Sequence, residues 1–104
     1  MFFKSGLILA ATIVGLTNAA CTFTGYNNAD CTGGSGSADA LTSTGRCINL
    51  TGRAAYKLSS DCGTVRVEGH TGSGCTGSIP DANDLIAGCH QIGPGDVSAY
   101  VYTH

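Results

Sequence analysis

The sequence predicts an all-β sandwich built from two similar units and stapled by disulfides. Three observations predict it. First, the stretch Gly69-His70-Thr71-Gly72-Ser73-Gly74-Cys75-Thr76-Gly77 has a copy upstream in Gly25-Tyr26-Asn27-Asn28-Ala29-Asp30-Cys31-Thr32-Gly33. Both read Gly, then an aromatic or His, then turn-forming residues, then Cys-Thr-Gly. Second, all six cysteines lie after residue 20 of a 104-residue chain, and an even number in a short chain reads as a disulfide framework. Third, short apolar/polar alternations are separated by glycine-rich turns, with no helical period of useful length. A repeat this small cannot bury its own apolar face, so two copies are expected to share one core.

The first residues read as a leader. Lys4 is the only charge before Cys21, Leu7 to Leu16 is an apolar run, and Thr17-Asn18-Ala19-Ala20 supplies small residues for cleavage. This predicts a signal peptide over residues 1–20 and a secreted, extracellular chain starting at Ala20 or Cys21. The run is about half of what a bilayer span needs, so no membrane span is expected. Without Lys4, the basic residues Arg46, Arg53, Lys57 and Arg66 face seven acidic ones, a net charge of −3. Such a balance gives no electrostatic recruitment to nucleic acid or anionic membranes, and it separates the chain from strongly cationic small antifungal proteins.

One domain is expected over 21–104, divided into repeats at about 21–61 and 62–104. Cys21-Thr22-Phe23-Thr24-Gly25 alternates as a half-buried strand. A Gly- and Ser-rich stretch follows from Gly33 to Ser37, and Cys47-Ile48-Asn49-Leu50-Thr51 alternates again. Gly52 breaks it before a strand at Ala54–Leu58. Thr64-Val65-Arg66-Val67-Glu68 is the clearest strand, with Gly69 expected to end it. Pro80 confines its segment to an edge or bend, and Asp81 to Ala87 is expected to form one helical turn stopped by Gly88. Short strands at Cys89–Ile92 and Val97–Tyr102 follow. In the repeat alignment Ala55-Tyr56-Lys57-Leu58 lies over Ala99-Tyr100-Val101-Tyr102, and Cys47 lies over Cys89.

Fifteen connectivities are open to six cysteines. The repeat favours Cys31–Cys47 and Cys75–Cys89 within the units, with Cys21–Cys62 joining them. Each such loop stabilises by about 3–4 kcal/mol on the chain-entropy account. No Cys-x-x-Cys and no pair of His at ligand spacing is present, so neither a metal nor another cofactor is expected. Asn49-Leu50-Thr51 is a glycosylation sequon; with Ile48 and Leu50 facing inward, Asn49 faces solvent.

The paired units resemble the Greek-key repeats of the βγ-crystallin superfamily. The resemblance rests on Tyr26 standing seven positions before Gly33, and on Ser98 opening the last strand, where the family's Ser bonds back to the first hairpin. It implies a double Greek-key sandwich. Two positions depart from the pattern: His70 replaces the aromatic before Gly77, and Ala54 stands where the first unit's Ser belongs. The family's calcium motif is poorly matched, since only Asp96 supplies an oxygen and Arg53 would repel the ion. The chain also resembles small cysteine-rich secreted proteins of fungi, a class that includes effectors and killer-toxin-like or antimicrobial proteins.

Candidate chemistry is sparse. Arg66, Glu68 and His70 alternate along one strand face and supply the acid, base and phosphate binder of a small secreted ribonuclease; the competing reading is a solvated strand face. Tyr26, Tyr56, Tyr100 and Tyr102 form either a sugar-stacking platform or, for Tyr56 and Tyr100, part of the shared core. If Tyr100 and Tyr102 point inward, Val97, Ala99 and Val101 form an outward stripe suited to self-association through the C-terminal strand; the alternative is a strand buried on both sides. The expected function is a secreted, non-catalytic interaction protein, effector-like or toxin-like, acting on an extracellular protein or cell-surface component. The ribonuclease using Glu68, His70 and Arg66 is the alternative.

Overall fold

The computed structural model describes residues 20–104, so the leader expected over 1–20 falls outside it apart from Ala20. The strands are β1 (Thr22–Tyr26), β2 (Asp39–Ala40), β3 (Arg46–Asn49) and β4 (Ala55–Leu58), then β5 (Val65–His70), β6 (Asp81–Leu85), β7 (Gly88–Gln91) and β8 (Ser98–Thr103). No helix occurs among the described residues. The strands form two four-stranded antiparallel sheets, β2-β1-β4-β7 and β3-β8-β5-β6. Their inner faces share one core of Phe23, Tyr56 and Leu58 against Ile48, Val65, Val67 and Val101. Phe23 and Tyr56 stack with ring centroids 4.5 Å apart, a contact that adds to their area burial.

Each half of the chain keeps its first, second and fourth strands together and lends its third to the opposite sheet. β3 pairs with β8 and β7 pairs with β4, so neither lies beside its own unit's strands. This exchange corrects the expected disulfides. Cys21–Cys62 forms as expected, but the other two bonds are Cys31–Cys89 and Cys47–Cys75. The repeat symmetry survives, because exchanging Cys31 with Cys75 and Cys47 with Cys89 maps one bond onto the other. Pairing within each unit fails because Cys47 and Cys89 ride on the exchanged strands. Each staples its strand to the hairpin of the sheet that receives it.

Two further corrections concern strand boundaries. The expected helical turn at Asp81 is the edge strand β6, in register from Val65↔Leu85 to Gly69↔Asp81. Its residues lack an apolar stripe at helical spacing, whereas an edge strand needs only Leu85 turned toward the core. Nor does Gly69 end β5, which continues through His70.

The last strand is shifted by one residue from the repeat alignment. Tyr26 pairs with Ala55 and His70 with Ser98, so Ala55 corresponds to Ser98 and Tyr56 to Ala99. Because side chains alternate with period two, this shift exchanges the two faces. Ala99 and Val101 are fully buried, while Tyr100 is 37% exposed and joins no core. The outward apolar stripe expected of Val97, Ala99 and Val101 therefore does not exist, since two of its three members are buried, and β8 is flanked on both sides by β3 and β5. The premise for self-association through that strand falls with it.

The two hairpins share an unusual backbone. Cys31 and Cys75 have φ of 59° and 58°, and Gly33 and Gly77 have φ of 84° and 78°. A left-handed angle is strained for a side-chain-bearing residue, so the Cys-Thr-Gly repeat marks a backbone shape that recurs in both units. In the second unit Ser98, 1% exposed, ties this hairpin to β8. Its Oγ donates to the Gly72 carbonyl at 2.6 Å and accepts from the Cys75 amide at 2.9 Å. In the first unit the register puts Ala55, not the expected Ala54, at that position, and Arg53 reaches its hairpin instead, donating to Asn27 Oδ1 at 2.8 Å and the Gly34 carbonyl at 3.2 Å. Replacing Ser98 with Ala leaves both hairpin groups without their partner, so Ser98→Ala is expected to lower stability by about 1–3 kcal/mol. Chemical denaturation of the oxidised chain measures it; a change below about 0.5 kcal/mol would show the hairpin is held otherwise.

Candidate functional site

The outer face of the β3-β8-β5-β6 sheet gathers a cluster of ionisable and aromatic side chains. With Val65, Val67, Ala99 and Val101 turned inward, alternation forces Arg66, Glu68, Tyr100 and Tyr102 outward. Register then sets two rows across the strands. Asp84, Arg66 and Tyr102 lie side by side, and so do Ala82, Glu68, Tyr100 and Cys47.

Along β8, Tyr100 and Tyr102 have ring centroids 6.0 Å apart, and Tyr102 and His104 5.9 Å apart, both pairs edge-to-face. Beside this aromatic row, Arg66 lies 3.6 Å from Glu68 Oε2 and 3.6 Å from Asp84 Oδ1. His104 Nε2 reaches the same Asp84 oxygen at 2.9 Å. The His104 hydrogen bond, assisted by the Arg66 charge, holds the Asp84 carboxyl below its ordinary value. The charges on this face are thus paired with one another.

The proposed ribonuclease trio is only partly brought together. Arg66 and Glu68 are neighbours, but they are committed to the ion pairs above. His70 is 8% exposed, and its Nδ1 is buried without a hydrogen-bond partner. An acid–base catalyst must reach the proton it moves, and His70 does not lie open beside Glu68. His104 stands in the open instead, a residue the sequence pattern did not single out. The period-two spacing of Tyr100, Tyr102 and His104 was the available signal, and it needed the correct face of β8 to be useful. Tyr56 is in the core as expected, Tyr26 is half-buried, and Asn49 is exposed at the end of β3 with Oδ1 accepting from the Thr51 amide at 3.0 Å.

A second cluster lies between the sheets. A cleft of about 190 Å³ is lined by Tyr56, Asp81, Asn83, Leu85, His90 and Asp96, among others. Asp81 opens β6 and Asp96 sits in the turn before β8, and their carboxyls meet over Gly93, with Asp96 Oδ1 buried and without a hydrogen-bond partner. Gly69 and Gly93 leave the space they occupy, since a Cβ at either would collide with these carboxylates. Burial, with the neighbouring Asp81 carboxyl, pushes the Asp96 carboxyl up to about 6, and His70 opposes the shift. Burial first, then Asp96 and Asp81, also pushes the Tyr56 hydroxyl well above its ordinary value. The related cleft of the first unit, about 280 Å³, has Arg53 at the position of Asp96. Repeat-related sites therefore carry opposite charge.

The chain matches no protein-family model, no curated protein and no solved structure.

The carboxyl pair predicts a direction of pH dependence. A carboxyl whose folded value is raised binds its proton more tightly when folded, so its contribution favours folding most below its ordinary value of 3.8. That contribution is lost as pH rises from there through about 6. Melting temperature is expected to fall over this window, and Asp96→Asn should flatten the fall. Thermal melts of both proteins between pH 3.5 and 7 test it, and parallel profiles would contradict it.

Proposed function

We propose that the protein is a secreted, non-catalytic interaction protein, effector-like or toxin-like, whose binding face is the outer surface of the β3-β8-β5-β6 sheet. The observation that carries this reading is the solvent-facing row of Tyr100, Tyr102 and His104 beside Arg66, Glu68 and Asp84. Its ionic groups are satisfied among themselves, which suits recognition better than proton transfer. Three disulfides are typical of extracellular proteins and support secretion. They also allow a small rigid body to hold recognition side chains in fixed register in protease-rich fluid.

The fold belonging with this proposal is a βγ-crystallin-like double Greek key. The exchange of third strands between the sheets, the bond of Ser98 to its hairpin and the shared backbone of Gly33 and Gly77 support it.

The ribonuclease reading is tested directly. Incubation of the oxidised protein with structured and single-stranded RNA, beside a Glu68→Ala, His70→Ala variant and a Glu68→Ala, His104→Ala variant, is expected to give no cleavage by any of the three. Cleavage by the wild type that either variant abolishes would overturn the non-enzymatic reading.

A further inference from the structure

The same sheet face indicates what kind of molecule it binds. Aromatic rings, an arginine fork and carboxylates lie together on the outer face of one sheet. Tyr100 and Tyr102 offer apolar ring surface with a hydroxyl at the edge. Arg66 donates in a planar fork, while Glu68 and Asp84 accept, so the face can both give and take hydrogen bonds over a short distance. The Tyr100 ring lies over Gly45, where any side chain would collide with it, instead of standing free in solvent. Glycine at position 45 therefore seats the ring, which stays 37% exposed beside Tyr102.

Charge and hydropathy narrow the ligand class. Polyanions are poorly matched: Arg66 is shared between Glu68 and Asp84, His104 is paired with Asp84, and the whole chain is negative at −2. An apolar protein partner is poorly matched too. Ile79, Ile86 and Tyr100 are the large exposed hydrophobic residues among those described, and the two isoleucines lie in the loops on either side of β6, so Tyr100 is the one carried by a strand of this face. A single large exposed hydrophobic side chain on the described strands is a small target for an apolar protein surface. A neutral, hydroxyl-rich ligand fits both conditions, because its C–H faces stack on rings and its hydroxyls bond to fork and carboxylates without requiring net charge.

We propose that this face is a glycan-binding site for neutral polysaccharide chains, with Tyr100 and Tyr102 stacking on sugar rings and Arg66, Glu68 and Asp84 holding hydroxyl groups. The proposal rests on the interaction-protein reading above and names the partner of its binding face. Stacking supplies affinity and the fixed charged groups supply orientation, the usual division in a small-molecule site.

Retention of the oxidised chain on insoluble chitin, β-glucan, mannan and cellulose tests it, with release by the matching soluble oligosaccharide. At least one neutral polysaccharide is expected to retain the protein at physiological salt. A Tyr100→Ala, Tyr102→Ala variant should lose at least tenfold in retention with its melting temperature held within a few degrees. A Tyr100→Phe, Tyr102→Phe variant, which keeps the rings, should retain most of the binding and guards against a folding artefact. Failure of all four neutral polysaccharides, equal retention of the alanine variant, or retention confined to pectate or heparin and removed by salt would overturn the glycan assignment. Binding to intact cells separates this from the broader reading. Tyrosine-dependent binding that survives enzymatic deglycosylation overturns the glycan and leaves the interaction protein standing; absence of binding to any cell or polysaccharide overturns both.

Discussion

The exchange of third strands between the two sheets is the constraint on which the rest of the structure depends. A forty-residue unit of this composition cannot close a core, and neighbouring units that merely touched would leave sheet edges open. By placing β3 beside β8 and β7 beside β4, each unit completes the other's sheet. The bonds Cys31–Cys89 and Cys47–Cys75 then prevent the lent strands from returning, closing loops of 58 and 28 residues. On the chain-entropy account such loops contribute about 3.5–4 kcal/mol each, comparable with the whole stability margin of a small domain. Both bonds start from a cysteine in a left-handed turn, so the strained backbone of the hairpins is held by the same crosslinks that hold the exchange.

From that arrangement the proposed binding face follows. β8 sits between the borrowed strand β3 and its own partner β5, with Ala99 and Val101 fixed against the core. Their burial compels Tyr100 and Tyr102 to the outside, opposite Glu68 and Arg66. Shifting β8 by one residue would bury two tyrosines, expose valine and dissolve the row. The interior acid pair has a related origin. Asp81 and Asp96 belong to an edge strand and a turn that the packing of β5 against β6 and β8 brings together over Gly69.

Much of the fold could be read from local chemistry. The Cys-Thr-Gly repeat marked two equivalent hairpins, alternation marked β1, β3, β4 and β5, and Ile48 and Leu50 correctly placed Asn49 in solvent. The role of Ser98 in tying the last strand to its hairpin was implied by the βγ-crystallin resemblance, not by local pattern, and the bond is present. What escaped was non-local. The disulfide partners depend on which sheet receives a strand, and no spacing along the chain encodes that. The orientation of β8 rested on matching Tyr56 to Tyr100, whereas volume was conserved differently: Tyr56 and Ala99 occupy related core positions. Large and small residues trade places across a shared core, so identity is a poor guide to equivalence there. The assignment of β6 failed because its polar sequence lacks a strand signal, and pairing with β5 alone gives it that form. Of the candidate site, Arg66 and Glu68 were legible from alternation, while His104 and Asp84 join them only through cross-strand register.

Disulfide mapping tests the central constraint most directly. The oxidised chain is digested without reduction at acid pH, and the crosslinked peptides are identified by mass. The account predicts peptides joining Cys31 to Cys89 and Cys47 to Cys75, alongside Cys21 joined to Cys62. Peptides joining Cys31 to Cys47 and Cys75 to Cys89 would place each third strand with its own unit and contradict the exchange.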